Sequence, residues 1–234
     1  MKTRSLFIIL TSVCLLALMA NCGQKKQKAA TETTAAAEIT DLQNLQAEAE
    51  EAETNSDALG KPLGVKSGII EYTYSGDKTG KSTQYFDDYG MKSAVYAEIV
   101  QQGEPSKGWS LTIGEDQYIW DPSKPRQGMK AKNPMAASMS GKSAEEMESL
   151  TASMYEQMGM AKSGTEVFQG KACTVYKGDM GKVLIWKGLL MMMEIKMGDV
   201  VSRQEVTSIK TNTPVDGKYF IIPDNITFSE LPGF

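Results

Sequence analysis

Beyond residue 67 the chain alternates apolar and polar positions with a period of two. In Gly68-Ile69-Ile70-Glu71-Tyr72-Thr73-Tyr74-Ser75-Gly76, Ile70, Tyr72 and Tyr74 fall on one side and Glu71 and Thr73 on the other. This predicts a half-buried strand closed by Gly76-Asp77. Further stretches of the same kind cover 81–89, 91–100, 109–113, 117–121 and 128–132, and then 165–168, 172–176, 182–187, 189–197, 200–209 and 218–222. Turn residues separate them, among them Asp88-Tyr89-Gly90, Gly114-Glu115-Asp116, Asp121-Pro122, Gly198-Asp199 and Asp216-Gly217. Connections this short pair neighbouring strands antiparallel, as a meander.

Two stretches depart from that rhythm. Ser143-Ala144-Glu145-Glu146 is a capping box, and Met147, Leu150, Met154, Met158 and Ala161 follow at spacings of three and four. That spacing predicts one helix with an apolar face, running to about Ser163-Gly164. In the strand from Leu189, alternation puts Leu189, Met191, Met193, Ile195 and Met197 on one face, while Leu190 and Met192 make the other face apolar too. Such a strand is covered on both faces or exposes a patch. The pattern therefore predicts a mainly β (α+β) domain, an antiparallel sheet with one principal helix.

The N-terminus has a different organisation. Lys2 and Arg4 precede an apolar run from Leu6 to Ala20, and the run closes in Leu18-Met19-Ala20-Asn21-Cys22. This is the order of a secretory signal peptide, and the run is shorter than the ~20 residues a spanning helix needs. The last five residues look like a lipobox. In bacterial lipoproteins, which they resemble, cleavage precedes the cysteine and the thiol is acylated, so Cys22 is the expected lipid-attachment residue. From Gly23 to Pro62 there is no aromatic residue; Lys25, Lys26 and Lys28 are followed by Ala, Thr and Glu. That composition suits a tether, partly helical or disordered, whose role is reach. The expected organisation is a signal peptide over 1–21, a tether over 22–62 and a folded domain over 63–234.

Charge and cysteine count narrow the chemistry. Loss of residues 1–21 takes the basic count from 25 to 23 against 29 acidic residues, a net charge of −6. An acidic chain is a poor partner for nucleic acid. Of three cysteines, Cys14 leaves with the signal peptide and Cys22 is lipidated, so Cys173 has no disulfide partner. The absence of histidine excludes Ser/His and Cys/His nucleophilic pairs and every imidazole metal site.

Other candidates for chemistry have plainer accounts. Asp87 and Asp88 are neighbours on a strand, so they point to opposite faces and do not form an acid and base pair. Twelve of the fifteen methionines lie between Met129 and Met197. Thioethers can bind Cu(I), but without histidine or a second cysteine they read as core or as the lining of an apolar site. Cys173, inside a strand pattern, reads as a small hydrophobe. No catalytic pair, phosphate loop, metal site or cofactor motif is visible, so an enzyme is not expected.

Several segments carry a resemblance. Tyr85-Phe86-Asp87-Asp88-Tyr89-Gly90, Gly164-Thr165-Glu166, Gly170-Lys171-Ala172-Cys173-Thr174-Val175-Tyr176, Ile185-Trp186-Lys187-Gly188, Pro214-Val215-Asp216 and Phe220-Ile221-Ile222-Pro223 look like an uncharacterised family of Bacteroidota envelope lipoproteins. That family is distantly similar to the half-barrels of lipoprotein carriers such as LolA and LolB. The resemblance covers about 67–228. It implies a curled antiparallel sheet (half-barrel) wrapped around a helix, with an apolar concavity that accepts acyl chains. Two functions then stand side by side. In one, a lipid or other hydrophobic ligand lies between the helix residues Met147, Leu150, Met154 and Met158 and the sheet residues Met191, Met193 and Ile195. In the other, the core is filled and the protein is a structural or interaction lipoprotein of the envelope. Gly23 and the lysines beyond it match neither the inner-membrane retention signal nor the acidic surface-export signal of lipoproteins. The expected location is the outer membrane, facing the periplasm, held by the acyl anchor.

Overall fold

A computed structural model describes residues 61–231, apart from 125 and 134–140. The signal peptide, Cys22 and the tether up to residue 60 lie outside the described residues. Eleven strands run in chain order: β1 Gly68–Gly76, β2 Lys78–Asp87, β3 Lys92–Gln101, β4 Glu104–Ile113, β5 Asp116–Trp120, β6 Gln127–Lys132, β7 Met160–Phe168, β8 Lys171–Gly178, β9 Gly181–Trp186, β10 Leu189–Met197 and β11 Val200–Thr211. A helix, α1 (Ala144–Gln157), falls between β6 and β7, and a twelfth strand, β12 (Thr227–Glu230), ends the described chain.

All twelve form one sheet in the order β12-β6-β5-β4-β3-β2-β1-β11-β10-β9-β8-β7. Two meanders, β1 to β6 and β7 to β11, are thus joined where β1 pairs antiparallel with β11. The sheet is open and curled, consistent with a half-barrel. Two side-chain contacts show the curl. The Gln169 amide, in the turn between β7 and β8, donates to the Val206 carbonyl on β11 at 3.4 Å. Three strand spacings of about 4.8 Å would separate β8 from β11 in a flat sheet, further than a glutamine reaches. The Tyr72 hydroxyl on β1 likewise lies 3.1 Å from the Leu190 carbonyl on β10, across the intervening β11.

The described core has three parts. The largest draws Ile70, Tyr72, Phe86 and Ile99 together with Val206, Leu189, Met191, Met192, Leu184, Val175 and Cys173. The second lies under α1, and the third is aromatic. In the third, register places Tyr85, Ala94, Leu111 and Tyr118 opposite one another across β2 to β5, with Tyr96, Trp109 and Trp120 in the next row of the same face. The segment after β11 covers these rows: Tyr219 stacks on Tyr85 at 3.8 Å between ring centroids, and Phe228 meets Tyr118 and Trp120 edge-on.

That covering segment corrects the strand expected at 218–222. Residues Gly217–Phe220 form a 3-10 turn, begun by the Asp216 carboxylate, which accepts from the Lys218 amide at 2.9 Å. The apolar residues there serve packing against the aromatic rows, not a ladder. Crossing the sheet in this way also lets β12 pair parallel with β6, a pairing that no hairpin can make.

The start of α1 matches the capping box. The Ser143 hydroxyl accepts from the Glu146 amide, and the Glu146 carboxylate accepts from the Ser143 amide at 2.8 Å. Its end is earlier than the stripe suggests: the helix stops at Gln157, Gly159 turns left-handed at φ 73°, and Ala161 belongs to β7. Ser143→Ala should lower stability by about 1 kcal/mol, because the Glu146 amide loses the hydroxyl that accepts from it. Urea unfolding of the two proteins measures it, and an unchanged midpoint would contradict the cap.

Candidate functional site

The site the sequence points to is the contact between α1 and the sheet. On the helix Ala152, Tyr155 and Met158 face the sheet; beneath them lie Met160 of β7, Tyr176 of β8, Val183 and Ile185 of β9, and Leu190, Met193 and Ile195 of β10. Pairing explains why these strand residues share a face: Met193 stands opposite Val183, Leu190 opposite Ile185, and Val183 opposite Tyr176. The rings of Tyr155 and Tyr176 meet with centroids 4.8 Å apart at 34°. An ion pair, Lys162 to Glu148 at 2.6 Å, ties β7 to the exposed flank of the helix.

Of the seven residues expected to line a ligand, Met158, Met193 and Ile195 come together here. Met147 is buried, while Leu150 and Met154 are half-buried, and none of these three is part of the helix–sheet cluster. Met191 is a correction. The register between β10 and β9 slips between Leu190 and Met192, so Met191 is the extra residue of a bulge. It packs with Leu189 and Met192 in the largest core cluster, whereas Leu190 joins Met193 and Ile195 under the helix. Strict alternation cannot survive an inserted residue. The both-sided apolarity of β10 is met by apolar packing in two clusters.

Sequence reasoning misses Tyr155 and Tyr176. Tyr155 is 6% exposed and sits three positions after Ala152 and three before Met158, a helical stripe rotated from the one traced through Met147, Leu150 and Met154. Burial, with a smaller contribution from the Tyr176 hydroxyl, pushes the Tyr155 hydroxyl up to about 12; burial also raises Tyr176. Both phenols stay neutral at physiological pH, so the seam carries two polar but uncharged groups among aliphatic and thioether side chains.

Nothing in this arrangement activates a nucleophile. The Cys173 thiol is fully buried, and burial pushes it up to about 11, away from the thiolate form that reacts. Among the described residues no three carboxylate or cysteine side chains converge to hold a metal ion, and the methionine run of β10 is divided between two clusters rather than gathered. No helix of the described residues is long and apolar enough to cross a membrane.

The chain matches no protein-family model and no curated protein. Among solved structures it is similar to an uncharacterized conserved protein from Thermus thermophilus, at 10% identity and a TM-score of 0.48 over 79% of this chain and 99% of that one. It is also similar to LprF from Mycobacterium bovis, at 9% identity and a TM-score of 0.32 over 76% of this chain and 95% of that one. A third is a putative outer membrane lipoprotein-sorting protein domain from Vibrio parahaemolyticus, at 8% identity and a TM-score of 0.29 over 76% and 94% of the two chains. Likenesses this distant do not decide function, which has to rest on the residues of this chain.

Proposed function

We propose that the protein is a membrane-anchored envelope lipoprotein, not an enzyme, whose curled sheet holds a lipid or other hydrophobic ligand at the seam between α1 and β7 to β10. The observation that carries this reading is the methionine content of the seam. Met158 and Met193 meet there half-buried, with Leu150 and Met154 half-buried along the same helix. Flexible thioethers fill irregular space and adapt to variable acyl shapes, whereas a permanently closed seam is better specified by Leu, Ile and Val. The neutral tyrosines add orientation without charge. The anchor on Cys22 and the tether, read from the sequence, would hold this domain at the periplasmic face of the outer membrane. Removal of the domain by protease added to intact cells would refute that placement.

A second reading is favoured by the same contacts. Tyr155 and Ile195 are almost fully buried, so helix and sheet close on one another through part of their length. A seam closed throughout would make the protein a structural or interaction lipoprotein. Native mass spectrometry of the full chain carrying Cys22→Ala, after incubation with membrane phospholipid vesicles, separates the two. Bound phospholipid or fatty acid is expected, and Met158→Asp or Met193→Asp should reduce occupancy by about tenfold or more, since a carboxylate would then have to share an apolar site. Met158 caps the end of the helix and is half-buried, so that variant should keep the circular-dichroism spectrum of the parent even if Met193→Asp does not. A chain that stays ligand-free would establish the interaction reading instead.

A further inference from the structure

The stretch Lys61–Ser67, ahead of β1, has no regular secondary structure, yet it is bonded to three separate turns at one end of the sheet. The Leu63 amide donates to the Tyr89 carbonyl at 3.0 Å, and the Tyr89 amide donates back to Lys66 at 2.9 Å. The Gly64 amide donates to the Lys187 carbonyl at 2.9 Å, and the Asn212 amide to Ser67 at 2.7 Å. The Ser67 hydroxyl donates to the Thr213 carbonyl at 2.8 Å, and the Lys61 ammonium lies 4.7 Å from the centre of the Tyr89 ring. Tyr89 belongs to the β2–β3 turn and Lys187 to the β9–β10 turn, so the stretch bridges both meanders.

Two features make this more than a convenient entry path. Tyr89, Lys187 and Asn212 all have left-handed backbones, with φ of 54°, 48° and 53°, although none is glycine. Side-chain-bearing residues rarely adopt that region unless their surroundings hold them there. The fit is also close. A Cβ on Gly90 would lie 2.8 Å from Leu63 Cδ1, and one on Gly188 would lie 2.9 Å from the Pro62 carbonyl oxygen and 3.2 Å from Leu63 Cδ2. Leu63 is thus wedged between the two turns, and Val65, 4% exposed, sits in the largest core cluster with Phe86 and Leu189.

We propose that Lys61–Ser67 is a latch that undocks as a unit and opens this end of the curled sheet to the cluster containing Leu189, Met191 and Met192. Its bonds go to turns at one end of the sheet and none belongs to a strand ladder, which is the character of a segment that opens before the whole domain does. Only the further step, that an acyl chain uses this opening, rests on the ligand-binding reading above.

The test needs no ligand. In the full chain carrying Cys14→Ala and Cys22→Ala, Cys173 is the single thiol and lies fully buried in the same cluster. Leu63→Ser should speed its labelling by maleimide about tenfold while the circular-dichroism spectrum stays unchanged, whereas Ser143→Ala, which loosens the distant helix, should not. In the parent protein the amides of Leu63, Gly64, Tyr89 and Asn212 should exchange hydrogen together, faster than those of Ile70 and Val206 and with little denaturant dependence. Equal labelling rates in the two variants, or latch amides that exchange only by global unfolding, would overturn the proposal. Failure to find bound lipid would leave these outcomes untouched.

Discussion

Gly181→Val should cost the domain about 3 kcal/mol or more and lower its melting temperature by about 10 °C. Gly181 opens β9 with φ 145°, a conformation that a β-branched residue does not adopt. A Cβ there would stand 1.9 Å from the Glu194 carbonyl oxygen and 2.9 Å from its carbon. Both are backbone atoms of β10, fixed by the ladder in which Gly181 faces Ile195 and Lys182 faces Glu194, so no side chain can swing aside. Two and three positions along, Val183 and Leu184 are fully buried in two different core clusters, and a shift of β9 would disturb both. Gly198→Ala supplies the contrast. That glycine also has a positive φ, 63°, but a Cβ would meet nothing within 4 Å, so the cost should be confined to about 1 kcal/mol of left-handed strain. Urea denaturation of both variants checks the pair, and equal midpoints would show that the close approach to β10 relaxes freely.

The same ladder shows what the sequence can and cannot reveal. β1 and β10 have the expected bounds, because each is framed by turn glycines and keeps enough alternation to be read. β2 and β4 begin earlier than their apolar pattern does, at Lys78 and Glu104. Their outer ends pair through the backbone while their side chains face water, and pairing of that kind leaves no hydrophobic signature. The bulge at Met191 is invisible for a related reason: one inserted residue moves side chains between faces without changing composition. The capping box locates the start of α1, but the stripe behind it runs through methionine and leucine, whereas the helix anchors on Tyr155. Neither Trp109 nor Trp120 stands out in the sequence. Their role depends on a distant segment, Tyr219 to Phe228, folding back over them, and one sequence does not reveal a contact of that range.

Cys22→Ala is expected to change location almost completely while leaving the fold intact, since Cys22 closes the signal segment, ahead of the domain that begins near residue 63. One acyl chain binds a bilayer only marginally, and stable anchoring needs a second signal, because each buried methylene contributes about 0.8 kcal/mol. In the lipoproteins that the Leu18-Met19-Ala20-Asn21-Cys22 segment resembles, the cysteine carries a diacylglyceryl group, and its new amino terminus is usually acylated as well. If Cys22 is modified in the same way, removing its thiol would remove all of these chains at once. The lysines at 25, 26 and 28 remain and offer only about 1 kcal/mol each toward anionic headgroups, screened by salt. Fractionation should therefore move nearly all of the protein from the membrane pellet to the soluble periplasmic extract, or leave an uncleaved precursor that intact mass identifies by its retained residues 1–21. Unchanged sedimentation together with an unchanged mature mass would remove the anchor from the account. The latch would stand or fall on Cys173 labelling and hydrogen exchange alone.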